Sequence, residues 1–212
     1  MLHLQYPSLR IVTVFDIVKD IRSRLGSCPV VASDLPPRES RQYSQHLLLV
    51  RITIMPKLGA GLLMYRKGDQ GPEVLLVHPG GPFFKNKDEG VWSLPKGLAD
   101  DGELGEQLLE VAKREFEEET GIKPIGHFDY LGSIRRRSDG KTVGVWTFAG
   151  DCDPATITSN SIIIEWPPKT GKKLEIPEVD RAAFFPLEHA RTKLCSYLVP
   201  VIDLFEKHVA SR

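Results

Sequence analysis

The residues best suited to chemistry are crowded into one short stretch, Arg114-Glu115-Phe116-Glu117-Glu118-Glu119-Thr120-Gly121-Ile122. Read as a helix, it continues a stripe begun by Leu108, Val111 and Ala112, the side a helix normally buries. The same spacing carries Glu115, Glu118 and Glu119 onto that side and turns Glu117 away from it. Each like-charged pair at i, i+4 destabilises a helix by roughly 0.2–0.5 kcal/mol. Partial burial adds to the repulsion and raises a carboxyl pKa unless a cation intervenes. Lys113 and Arg114 are the nearby positive side chains, too few to neutralise the group. Acidic runs are ordinarily solvated surface faces, but one that displaces apolar residues from a packing side needs another partner. Clustered hard oxygen donors suit magnesium or manganese. The segment is therefore expected to hold a divalent cation.

The surrounding elements must deliver this helix to a site. Residues 105–120 read as helix, stopped by Gly121 as a C-terminal cap, with Pro124 following. Before it, residues 90–102 read as a loop holding a short strand over 91–94. Residues 58–65 and 74–77 read as strands joined by the charged turn 66–73. Residues 130–137 and 142–149 read as a hairpin around Ser138-Asp139-Gly140. An irregular segment, 151–179, leads to a strand over 182–185 and to helices over 187–194 and 200–209. Strands and helices alternate without regular βαβ spacing, which predicts an α/β fold with a mixed sheet covered by helices.

Residues 1–54 read differently from the rest. Residues 11–25 suit a short amphipathic helix, and residues 32–45, rich in Ser, Pro, Arg and Gln, suit a linker or disorder. Met55 is expected to open the catalytic domain, 55–212, with 1–54 an N-terminal extension or the product of a misplaced start site. Lys plus Arg and Asp plus Glu number 28 each among 212 residues, a neutral balance that argues against a protein coating nucleic acid. Cys28, Cys152 and Cys195 are scattered and outside any C-x-x-C pattern, which fits a reducing compartment. No apolar run approaches the roughly 18 residues that span a bilayer. The cytoplasm is the expected location, without a membrane partner. The oligomeric state leaves no mark in the sequence.

The motif resembles the box of the Nudix (MutT-like) hydrolases, in which Gly, five residues, Glu and seven residues precede Arg-Glu-apolar-x-Glu-Glu-x-Gly-apolar. Arg114 to Ile122 fits every position of the second half, and Gly97 and Glu103 keep the five-residue gap. Ser93-Leu94-Pro95-Lys96-Gly97 resembles the approach to the box. The departure is a ten-residue gap from Glu103 to Arg114. Glu106 restores the seven-residue gap but lies too far from Gly97, so either glutamate fits the first box position. The resemblance implies a Nudix-type α/β/α sandwich that hydrolyses a diphosphate linkage with Mg2+ or Mn2+. It implies Glu115, Glu118, Glu119 and the Gly97 carbonyl as metal ligands, Arg114 as the orienter of a neighbouring carboxylate, and Glu115 as the general base. Many relatives also use a glutamate outside the box, and Glu178 stands in the matching place as an extra ligand or as the base itself.

Several residues could handle a nucleotide substrate. Lys96 adjoins the box; Arg135, Arg136 and Arg137 distribute guanidinium groups over both faces of a strand; Trp166, Phe83 and Phe84 could stack on a base. A wet sheet face and ordinary core packing are the bland alternatives, with core burial expected of at least one phenylalanine. His78 follows an apolar strand and is expected to be packed or hydrogen-bonded. Residues 169–173 form a basic loop. The substrate is read as a nucleoside triphosphate or dinucleoside polyphosphate. A nucleotide-binding Nudix module without catalysis, or an RNA 5′-end pyrophosphohydrolase, are the alternatives; retention of all the second-half acids argues against the former and neutral charge against the latter.

Overall fold

The computed structural model describes residues 57–100 and 103–211. The expected extension 1–54, with its helix over 11–25, lies outside them. A six-stranded mixed sheet forms the centre, in the order β4 (Asp129–Arg135), β5 (Thr142–Ala149), β1 (Leu58–Gly68), β2 (Gly71–Pro79) and β8 (Val179–Pro186), with β3 (Lys96–Leu98) paired to β1. Only β1 and β5 run parallel within this sheet; the other pairings are antiparallel.

The sheet is covered on both faces, so β1 is apolar on both sides, as a central strand must be. Ala60, Leu62 and Met64 join Val111, Ala112 and Phe116 of α1 (Gln107–Thr120) in one core. Leu63 joins Val143 and Val145 beneath Ala190 of α2 (Leu187–Lys193) and Val201, Ile202 and Phe205 of α3 (Pro200–Ala210) in the other. This is the α/β/α sandwich expected.

Within α1 the buried line is Val111, Ala112, Phe116 and Thr120. Phe116 is fully buried and meets Phe148 edge-on, ring centroids 5.3 Å apart. Burying a phenylalanine stabilises by about 1.5–3 kcal/mol, and that preference rotates the helix. The acids therefore do not replace the core stripe, as the spacing alone suggested, but run along its flank. Gly121 ends the helix in the left-handed conformation at φ 71°, its N–H donating to the Glu117 carbonyl.

Three local expectations are revised, the first being the turn over 66–73: β1 runs on to Gly68 and β2 begins at Gly71, so the pairing continues almost to the tip. Residues 91–94 contribute only isolated bridges, Val77 to Ser93 and Trp92 to Leu194, and the paired strand lies just beyond, at Lys96–Leu98. Residues 151–179 are not irregular throughout: β6 (Ser161–Glu165) and β7 (Lys173–Pro177) form a separate antiparallel hairpin. Ile162, Ile164, Leu174 and Ile176 share one face of it, with polar Glu175 on the other. Among the described residues no helix is long and apolar enough to cross a membrane.

Candidate active site

The flank of α1 meets the backbone of β3. A Cβ on Gly97 would overlap the Glu115 carboxylate, so the two groups adjoin only because residue 97 has no side chain. The Gly97 carbonyl oxygen lies beside Gly59 of β1, where a side chain would again intrude. One turn on, Glu119 Oε1 accepts the Lys96 backbone N–H at 3.4 Å. Glu115 is only 15% exposed, against 37% for Glu118. Arg114 spans the two, with Nη1 at 3.0 Å from Glu115 Oε1 and 3.5 Å from Glu118 Oε1.

Burial sets the electrostatics. It pushes the Glu119 carboxyl up to about 7, opposed by Lys96 and reinforced by the charges of Glu115 and Glu178. Glu115 is raised for the same first reason; Arg114 pulls it down, and Glu118 and Glu178 push it further up. Burial also works against the Arg114 charge, but Glu115 and Glu118 outweigh it and hold its pKa above the ordinary value. Glu103 acts on Arg114 as well, whereas Glu106 occupies the N-cap of α1 without a side-chain cap. The Glu103 carboxylate itself accepts the Asp100 N–H at 2.7 Å.

Glu178 comes to the cluster through main chain. The Asn160 N–H donates to the Glu118 carbonyl, the Glu178 N–H to the Asn160 carbonyl, and the Gly80 N–H to the Glu178 carbonyl, at 3.0, 2.9 and 2.9 Å. A side-chain tie lies beside this relay: buried His78 sits between Asp180 Oδ1, 2.6 Å from Nδ1, and the Lys87 carbonyl, 2.9 Å from Nε2. His78 is thus a hydrogen-bonded link between β2, β8 and the 80–90 loop. Asn160 was not legible as a site residue, since its contribution is peptide hydrogen bonding.

The remaining candidates scatter. The Lys96 charge acts on both Glu115 and Glu119. Arg135 and Arg137 are exposed near the end of β4, on either side of half-buried Arg136. Trp166 begins the tip of the β6–β7 hairpin, preceding a cis Pro167, its N–H donating to the Lys172 carbonyl. Among the described residues no hydrogen bond, ion pair or ring contact joins it to the carboxylates. Phe83 and Phe84 pack on one another at 4.9 Å, with the Lys87 ammonium 3.4 Å from the Phe83 centroid. Phe83 is 57% exposed and neither ring belongs to the core, contrary to the packing expected of at least one.

The donors fit a divalent cation in chemistry: hard carboxylate oxygens, two of them raised in pKa by burial and mutual repulsion, one of them against the Gly97 backbone. Among the described residues no three His, Cys, Asp or Glu side chains close around one point. Arg114 instead engages Glu115 and Glu118.

The close approach at Gly97 predicts a separation of stability from activity. The group in the way of a Gly97→Ala methyl is the mobile end of the Glu115 side chain. Unfolding free energy is expected to fall by no more than about 1 kcal/mol, while turnover falls about 10²-fold because the carboxylate is displaced. Denaturant melts and steady-state rates on the same preparation would check this; a collapsed fold would overturn it.

A two-faced α/β/α sandwich around a mixed sheet, with an acid-lined helix against a glycine strand, defines the class of architecture. The chain belongs to the Nudix family: the NUDIX domain model matches residues 55–205. Nudix hydrolase 7 of Arabidopsis thaliana is 43% identical over 65 residues, 31% of this chain and 21% of that protein, so the match spans about a fifth of the relative's length. The fold resembles the NUDIX domain of Shewanella oneidensis NrtR, solved with ADP ribose, at TM-score 0.51 and 18% identity, covering 78% of this chain and 97% of that one. It also resembles a Caenorhabditis elegans Ap4A hydrolase at TM-score 0.50 and 22% identity, covering 74% and 99%.

Proposed function

We propose that this chain hydrolyses a diphosphate linkage in a nucleoside triphosphate or dinucleoside polyphosphate. The observation that carries the reading is the pairing of half-buried Glu115 and Glu119 along one flank of α1, against Gly97 and within the field of Glu178. Glu115, Glu118, Glu119 and the Gly97 carbonyl would hold Mg2+ or Mn2+. Bound there, the cation neutralises diphosphate oxygens and acidifies attacking water.

The protein groups divide the remaining work. Glu115 takes the proton from water as its oxygen bonds to phosphorus. The bridging P–O bond breaks and a phosphomonoester leaves with the electron pair. A base works best when its pKa lies near the working pH, and burial moves Glu115 in that direction. Arg114 holds Glu115 in place and restrains Glu118. Glu103 or Glu106 would fill the first box position. Glu178 would serve as an additional ligand or as the base itself. Lys96, Arg135 and Arg137 receive substrate phosphates, and Trp166 offers a stacking surface at the hairpin tip.

The test is a product panel with magnesium, manganese or chelator, spanning nucleoside triphosphates, dinucleoside polyphosphates, nucleotide sugars and capped RNA. Cation-dependent release of a phosphomonoester from the first two groups is expected. Tight nucleotide binding without turnover of any member would replace hydrolysis by a binding role.

A further inference from the structure

A hollow of about 680 Å³ opens between the end of β4 and the start of α3, lined by Arg135, Arg136, Arg137, Ser138, Ser196 and Tyr197. That volume suits a small ligand. Arg136 is committed to the wall: it pairs with Asp139 and lies over the Tyr197 ring, 5.3 Å from the centroid. Arg135 and Arg137 are exposed and make no ion pair among the described residues. Lys141 stands beside them, its ammonium pushed below the ordinary value by burial and by the charges of Arg136, Lys57 and Lys96. Asp139 is the acid that acts on this group, and Arg136 already engages it.

Strand register relates the hollow to the carboxylates: Arg135 lies opposite Thr142 of β5, Thr142 opposite Leu58 of β1, and Ala60 of β1 opposite Gly97 of β3. A Cβ on Gly61 would strike both Leu94, part of the core beneath α2 and α3, and the Lys96 Cβ, so Lys96 leaves β3 on that face of the sheet. Its charge acts on Glu115 and Glu119 in one direction and on Lys141 and Cys195 in the other. The hollow and Gly97 therefore lie toward the same end of the sheet, with Lys141, next to Thr142, between them in the strand order. In a chain with 28 basic and 28 acidic residues, this local excess of positive charge repels itself and attracts an anion.

We propose that the Arg135–Arg137 hollow is an anion subsite that receives the phosphate chain beyond the scissile linkage, selecting polyphosphate-bridged substrates over those whose leaving part is an uncharged sugar. This rests on the hydrolytic reading above and assigns the substrate class to it. Arg135 and Arg137 supply forked donors suited to phosphoryl oxygens. Tyr197, half-buried with its hydroxyl pushed up to about 12, remains a neutral floor.

The experiment uses the full chain and an Arg135→Ser/Arg137→Ser double variant, with equal melting temperatures as the check on folding. Calorimetry with inorganic tripolyphosphate and chelator reads the hollow without catalysis. Wild type should bind, and the variant should bind about tenfold more weakly. In turnover, the kcat/KM ratio for a tetraphosphate-bridged dinucleoside over a diphosphate-bridged sugar nucleotide should fall about tenfold in the variant. An unmoved ratio, or tripolyphosphate binding that is absent or indifferent to the substitutions, overturns the subsite. A variant effect confined to 5′-triphosphate RNA would give the hollow to RNA and also overturn it. If wild type turns over no substrate, the hydrolytic reading fails, while the tripolyphosphate titration still decides whether the hollow binds anions.

Discussion

Replacing Glu115 by glutamine is expected to lower kcat about 10³-fold at saturating cation, whereas Glu178→Gln should cost about tenfold. The larger figure lies within the range removed with a general base. The ranking follows from position. Glu115 is 15% exposed, lies against the Gly97 backbone and is held by Arg114 at 3.0 Å. Among the described residues, Glu178 is tied to α1 only through Asn160, by two backbone hydrogen bonds. Glutamine preserves shape in both cases and removes the charge. Cation affinity followed by calorimetry separates a lost base from a lost ligand: a lost base leaves affinity nearly intact. If Glu178→Gln proves the more damaging with affinity kept, the base belongs on the β7–β8 connection.

The second large effect is on stability. The Glu119 carboxyl is raised from 4.5 to about 7 in the folded protein, chiefly by burial. Between those values the native chain keeps a proton that the unfolded chain has released. Cation-free protein should therefore be most stable, as far as this group is concerned, at or below about pH 4.5. Stability is lost as pH rises toward 7 and then levels off. Linkage puts the loss at about 3 kcal/mol as an upper bound. Glu115 shifts in the same direction and steepens the trend. Chemical denaturation between pH 5 and 8 in chelator should show the decline, and Glu119→Gln should flatten most of it. Magnesium or manganese should flatten it too, because a bound cation favours the charged carboxylate. A decline that survives Glu119→Gln would remove burial of this residue as its cause.

Much of this arrangement can be read from residue order because it depends on side-chain type. Four glutamates in five positions, ended by glycine, announce both the helix and its chemistry. The apolar runs of β1 and β5, bounded by charged or glycine-containing turns, announce strands. The side on which the acids fall was harder. Spacing from Leu108 and Val111 points to Glu115 and Glu118, and only the tertiary contact of Phe116 with Phe148 shows that the helix turns by part of a residue step. The β6–β7 hairpin escaped because Ile162-Ile163-Ile164 runs without alternation and its partner lies beyond a seven-residue tip. Only Leu174-Glu175-Ile176 carried a strand signal. Asn160 left no signal at all, since a peptide N–H and carbonyl are common to almost every residue. Lys96 illustrates the opposite case: its position beside the box was plain, but the backbone bond to Glu119 and the long-range field toward Cys195 belong to the folded chain.

The hydrogen bond that the Glu178 N–H donates to the Asn160 carbonyl ties together two chain positions eighteen residues apart in sequence. Everything from Ser161 to Pro177 is therefore suspended from a closed neck rather than threaded through the catalytic framework. Lineages could lengthen, shorten or exchange that appendage while the acids keep their places. A change in the length of the hairpin would leave the tie from α1 through Asn160 to the Glu178 segment in place.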